Sequence, residues 1–70
     1  MIDLVECHSG NEYAERPVAV NWQGSRLEVE ALEDQWRTPQ GKSFRVRVRD
    51  GRRFELAFDE LSNNWQVKEI

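Results

Sequence analysis

The feature that most constrains this chain is an alternation of apolar and polar residues that doubles back on itself. From Pro17 onward, Val18, Val20 and Trp22 point to one side while Ala19, Asn21 and Gln23 point to the other, which is the period of a half-buried strand. A second run follows at once, with Leu27, Val29 and Ala31 on one side and Arg26, Glu28 and Glu30 on the other. Two extended runs this close in sequence pair as an antiparallel hairpin. Reading Gly24-Ser25 as a two-residue type II′ turn sets Trp22 opposite Leu27, Val20 opposite Val29 and Val18 opposite Ala31, so every apolar residue meets an apolar one.

The same test decides a second hairpin. A two-residue Asp50-Gly51 turn would set Phe44, Val46 and Val48 against Ala57, Glu55 and Arg53, mixing the faces. A three-residue loop of Arg49, Asp50 and Gly51, with Gly51 left-handed, instead pairs Val48 with Arg52, Val46 with Phe54 and Phe44 with Leu56. The bulged three-residue turn is therefore expected. Between the hairpins the phase changes at Ala31-Leu32, and Glu33 to Lys42 contains Pro39 and Gly41, so a bulge near Leu32 followed by a loop is expected. Ile2 to His8 reads as an edge strand, Ser9 to Arg16 as a polar loop, and Trp65 to Ile70 as a last strand reached through a turn-rich Asp59 to Asn64.

A chain of 70 residues has apolar side chains for one core only, hence one domain over residues 1–70. The fold expected is all-β: an antiparallel meander of five or six strands, strongly bent or partly closed into a small barrel. Its expected core is Val18, Val20, Trp22, Leu27, Val29, Phe44, Val46, Val48, Phe54, Leu56 and Trp65. No window carries a helical period long enough for an α+β fold. The start Met1-Ile2-Asp3-Leu4 lacks the basic and apolar segments of a signal peptide, no run approaches a membrane span, and the lone Cys7 excludes an intrachain disulfide. Those features point to the cytoplasm.

The strongest charge feature is the outward face of the second hairpin: Arg45, Arg47, Arg49, Arg52 and Arg53, with Lys42 nearby, six basic residues in twelve positions. In the expected register Arg45 opposes Glu55, whereas Arg47 opposes Arg53, an unfavourable pair unless an anion lies near. Two anion sources are open. Glu28 and Glu30 on the neighbouring strand could neutralise the arginines, or the stripe could serve phosphates or an acidic partner. Phe44 and Phe54 face inward, so no stacking platform is interleaved with the stripe, and the formal net charge of −3 does not favour a dedicated nucleic-acid binder. Trp22 and Trp65 read as packing residues. Trp36, beside Arg37 and beyond the phase change, could cap a barrel end or stay exposed as an interface anchor.

Nothing in the pattern calls for an enzyme. Cys7 and His8 are adjacent on a strand and so point to opposite faces, which prevents a nucleophile-base pair between them. With no other Cys or His, a zinc site lacks ligands, and no phosphate loop, nucleophile elbow or metalloprotease motif is present. Neither a metal nor another cofactor is expected.

The set Val18, Val20, Trp22, Gly24, Val29 and Trp36-Arg37, followed by Phe44-Arg45-Val46, Asp50-Gly51, Phe54-Glu55-Leu56, Asp59 and Trp65, resembles a small prokaryotic β-meander domain family of unknown function. Its members stand alone or are appended to Y-family-like DNA repair polymerase homologues. The resemblance covers Arg16 to Ile70 and implies a link to DNA repair, with no catalytic residues to carry over. The loop Thr38-Pro39-Gln40-Gly41-Lys42-Ser43 lacks the extra aromatic residues that members often carry there.

Two functions follow as expectations. The first is a non-enzymatic module that self-associates as a homodimer or binds another protein, by sheet-edge pairing or through Trp36 and Arg37. The alternative is a weak nucleic-acid-binding accessory using Arg45, Arg47, Arg49, Arg52 and Arg53 on phosphates.

Overall fold

A computed structural model of the chain describes residues 4–8 and 16–70. Six strands follow one another: β1 (Val5–His8), β2 (Arg16–Trp22), β3 (Ser25–Thr38), β4 (Gly41–Val48), β5 (Arg53–Asp59) and β6 (Asn64–Glu69). Each pairs antiparallel with the next, in the spatial order β1-β2-β3-β4-β5-β6. The all-β meander is therefore the fold. It is curled into a half-barrel, because the Trp22 ring on β2 meets the Phe54 ring on β5 edge-on at 5.3 Å although two strands separate them in the sheet. Ile2, Asp3, Tyr13 and the Ser9 to Glu15 part of the expected loop lie outside the described residues, and Arg16 belongs to β2.

The β4–β5 hairpin has the expected register: Phe44 opposes Leu56, Arg45 opposes Glu55, Val46 opposes Phe54 and Arg47 opposes Arg53. Its loop closes with Val48 N–H donating to Arg52 O at 2.9 Å and Gly51 N–H donating to Val48 O at 3.0 Å. Gly51 has φ of 97°, a left-handed value that glycine adopts without a side-chain penalty. Asp50 Oδ1 also accepts the Arg52 N–H at 3.0 Å.

The β2–β3 hairpin corrects the expected one. The turn is Gln23-Gly24, not Gly24-Ser25, so Trp22 opposes Ser25, Asn21 opposes Arg26, Val20 opposes Leu27 and Ala19 opposes Glu28. Both turn residues have positive φ, 49° and 82°, the type I′ pattern whose twist suits a two-residue hairpin. The register differs from the expected one by two residues. A shift of two keeps every side chain on its face, so matching apolar with apolar cannot distinguish the two pairings. Pairing with β3 stops at Ala19 and Glu28. Val18, expected in the core opposite Ala31, is 38% exposed.

β3 itself continues where a loop is expected. Its register with β4 breaks between Val29 and Ala31 and between Leu32 and Asp34, so the bulge at Leu32 is present, but the strand then runs on to Thr38. Only Pro39 and Gln40 turn the chain, with Thr38 opposite Gly41 and Thr38 Oγ1 accepting the Gly41 N–H at 3.0 Å. A proline in a tight turn removes a donor that the turn does not need. Gly41 is required for a different reason: a Cβ there would meet the Phe58 carbonyl oxygen across the β4–β5 ladder.

The core is formed by Val5, Val20, Phe44, Val46, Val48, Phe54, Leu56, Phe58 and Trp65, with Trp22, Leu27, Val29, Leu32 and Val67 packed against it. Burial of this apolar surface is the main favourable term in folding, roughly 1.5–3 kcal/mol for each large side chain. Phe58 joins it because Trp65 lies opposite in the β5–β6 register, their ring centroids 4.9 Å apart. Val5 joins it as the β1 partner of Val20. Ala19, on the outward side of β2, is nevertheless fully buried; it lies between Glu6 of β1 and Glu28 of β3 in register.

Candidate functional site

The β4–β5 hairpin places the arginine stripe on the outward face of the sheet, where its register puts Arg47 against Arg53. The repulsion expected there is answered from β3. The break between Leu32 and Asp34 frees Glu33 from the alternation, and its carboxylate reaches both cations, at 3.5 Å from Arg47 Nη1 and 3.2 Å from Arg53 Nε. Glu30 takes Arg47 Nε at 3.0 Å, and Glu28 takes Arg49 Nε at 3.1 Å. Arg52 is held within its own turn by Asp50, at 2.8 Å. The Arg52 side chain, and then its N–H, hold the Asp50 carboxyl below its ordinary value, and Asp50 raises Arg52 in turn.

Four of the five stripe arginines thus meet a carboxylate. Pairs this exposed contribute about 0–1 kcal/mol each to stability. Their larger effect is on the field: a cation matched at contact distance has little potential left for a distant phosphate. Glu28 and Glu30 were visible as candidates in the sequence. Glu33 was not, because its reach depends on the bulge.

Arg45 differs from the other four. Glu55 stands opposite in register, yet among the described residues no carboxylate lies within ion-pairing distance of the Arg45 guanidinium, which is placed over the Trp36 ring at 5.9 Å from its centroid. That is the range of a cation–π contact. Trp36 is half-buried on β3, opposite Ser43. Its neighbour Arg37 is 69% exposed and reaches Glu60 at 3.1 Å. A shallow depression of about 310 Å³ opens beside them, lined by Gln35, Trp36, Arg37, Lys42, Ser43 and Phe44.

The slipped β2–β3 register creates a second feature that sequence reasoning missed. Beyond Glu28, β3 has no strand partner on its β2 side among the described residues, and Arg16 to Val18 of β2 have none on their β3 side. The strands fork there around a depression of about 260 Å³ floored by Pro17, Val18, Val29, Ala31 and Leu32. The expected pairing of Val18 with Ala31 does not form there. At the closed end of the fork a further charge cluster holds β1 to β3: Glu6 Oε2 accepts from Arg26 Nε at 2.9 Å and from Asn21 Nδ2 at 3.2 Å. Those two hydrogen bonds, Arg26 first, hold the Glu6 carboxyl below its ordinary value.

Cys7 is half-buried against the core, and the His8 side chain lies outside the described residues. Among the described residues no three His, Cys, Asp or Glu side chains converge where they could hold a metal, and no helix is long and apolar enough to cross a membrane. No family model, curated protein or solved structure matches the chain.

Proposed function

We propose that this domain is a non-enzymatic interaction module that takes up an additional polypeptide strand on the open side of β3, beside Trp36 and Arg37. The observation that carries the reading is the run of β3 beyond Glu28, which has no strand partner on that side among the described residues. Unpaired N–H and C=O groups along a strand edge are a template for another strand, and a half-exposed Trp flanked by Arg37 and Arg45 supplies the kind of side chains that anchor protein interfaces. The internal pairing of Arg47, Arg49, Arg52 and Arg53 supports the same reading, since it leaves the stripe little charge to offer. A cytoplasmic site of action belongs to this reading.

A second reading keeps nucleic acid as the partner and is favoured by one observation. Among the described residues Arg45 has no carboxylate within ion-pairing distance, and it lies on an aromatic ring, a pairing that could hold a base and its phosphate. The association with DNA repair implied by the family resemblance would fit either partner.

An amide titration of labelled protein with a short single-stranded oligonucleotide, at low and at near-physiological salt, separates the two. The interaction-module reading expects no salt-sensitive shifts over residues 45–53. Shifts clustered there that fade as salt rises, as counterion release requires, would overturn it.

A further inference from the structure

We infer that the strand accepted by the β3 edge is the same edge of a second copy, paired antiparallel and centred on Trp36; this rests on the interaction-module reading and names its partner. The two bulges restrict regular pairing to the stretch Asp34 to Thr38, over which the β4 ladder is unbroken. A two-fold axis through a continuous antiparallel sheet keeps each face with itself, so opposed residues must have the same orientation and the axis must fall on a residue.

Backbone direction selects which residue. The two-residue turn makes Thr38 and Gly41 a hydrogen-bonded pair, so the backbone groups of Thr38, Trp36 and Asp34 turn toward β4, and those of Gln35 and Arg37 toward the open side. Centring on Trp36 places Gln35 opposite Arg37 of the second copy, and Arg37 opposite its Gln35. Each pair exchanges two backbone hydrogen bonds. Trp36 then opposes Trp36 of the second copy in the closer, non-hydrogen-bonded spacing, where aromatic side chains interact best.

The flanking residues are complementary in the same register. Asp34 falls opposite Thr38 of the second copy. Thr38 Oγ1 already accepts the Gly41 N–H, which leaves its hydroxyl hydrogen to donate to that carboxylate. At present Asp34 Oδ1 accepts the Gln35 N–H at 2.8 Å, so the carboxylate covers an amide that the incoming strand would take over. Centring on Gln35 instead would set Asp34 against Trp36 and bring Glu33, held by Arg47 and Arg53, against Arg37, held by Glu60. That register offers no new partner to either.

Sedimentation equilibrium on the full chain tests the inference over a concentration range reaching that of an NMR sample. The mass should rise from 8.3 kDa toward twice that value. Gln35→Pro removes one edge N–H per copy, and should weaken association roughly tenfold or more, with the Val46–Phe54 cross-strand contact retained; Gln35→Ala should associate as the unsubstituted chain does. Half-filtered NOE spectra on a mixture of labelled and unlabelled chains need no substitution and should show Trp36 contacting Trp36. A chain that stays monomeric throughout, or a dimer without that contact, overturns the inference. Because oligonucleotide binding is scored separately, a monomer that ignores oligonucleotide leaves the strand-accepting reading standing with a different partner, whereas salt-sensitive shifts over 45–53 remove the reading itself.

Discussion

The β4–β5 and β2–β3 hairpins of this sheet end differently. β4 and β5 stay paired from Gly41 opposite Asp59 to Arg47 opposite Arg53, and both also have a partner on their other side. β2 and β3 leave one another after Ala19 and Glu28, opening a fork. The difference lies in the turns and bulges. A three-residue turn with a left-handed Gly51 delivers β5 onto β4 in one register that buries Val46, Phe54, Phe44 and Leu56 together. The Gln23-Gly24 turn sends β3 along β2 only briefly, after which two breaks in the β3–β4 register bend β3 away with β4. Bulges sharpen local twist. Here one aims Glu33 at two arginines, and together they separate β3 from β2.

Substitutions can break this comparison. The largest contrast should come from packing: Phe54→Ala should cost about 3–5 kcal/mol in urea unfolding, whereas Val18→Ala at the fork should stay within about 0.5 kcal/mol. A Val18 cost comparable to that of Phe54 would mean that the fork is closed. Next come the turns. Gly51→Ala forces a Cβ into a left-handed position and should cost about 1–2 kcal/mol, with no steric contribution because nothing lies within 4 Å of the added carbon. Gln23→Gly relieves a left-handed residue at the price of a more flexible unfolded chain, and should gain no more than about 1 kcal/mol.

Charge substitutions should act less on stability and more on binding. Glu33→Gln removes the carboxylate shared by Arg47 and Arg53, with a stability change within about 1 kcal/mol. It should nevertheless strengthen salt-sensitive oligonucleotide binding relative to the unsubstituted protein, readable as amide shifts at Arg47 and Arg53. The smallest effect is the acid dependence. Asp50 and Glu6 are both depressed in the folded state, so each contributes stability that is present above its ordinary carboxylate range and is lost as pH falls through the lower folded value. Asp50→Asn and Glu6→Gln should each flatten the decline of unfolding free energy below about pH 4, the first through the β4–β5 turn and the second through the β1–β3 end. An unchanged slope in either variant would show that its ion pair does not persist in solution.

How far the sequence could be read depended on which symmetry a feature breaks. In the β4–β5 hairpin the competing turns differed by one residue, which flips every side chain, so Phe44, Val46 and Val48 discriminated between them. In the β2–β3 hairpin the competing registers differed by two, which flips none, and the choice fell to turn chemistry. Gly at the first position of Gly24-Ser25 suggested one answer, while Gln23, not a residue favoured at positive φ, takes the other. The extension of β3 through Asp34 to Thr38 was hidden by Pro39 and Gly41, which marked a loop but punctuate a two-residue turn. Of the candidate site, the arginine stripe and the acids Glu28 and Glu30 were legible from alternation alone. Glu33, the Arg45–Trp36 contact and the fork were not, because each follows from a bulge or from a register that alternation leaves undetermined.

The β2–β3 register decides the fork, since the slip of two residues ends the pairing at Glu28 and starts the open β3 edge, among the described residues, at Val29; Asp34 to Thr38 lie beyond β2 in either register, because β2 begins at Arg16. Cross-strand NOEs in the isolated chain test that register directly. The structure predicts contacts between Val20 and Leu27 and between Asn21 and Arg26, with none joining Val18 to Ala31. Contacts from Trp22 to Leu27, Val20 to Val29 and Val18 to Ala31 would contradict it and close the fork.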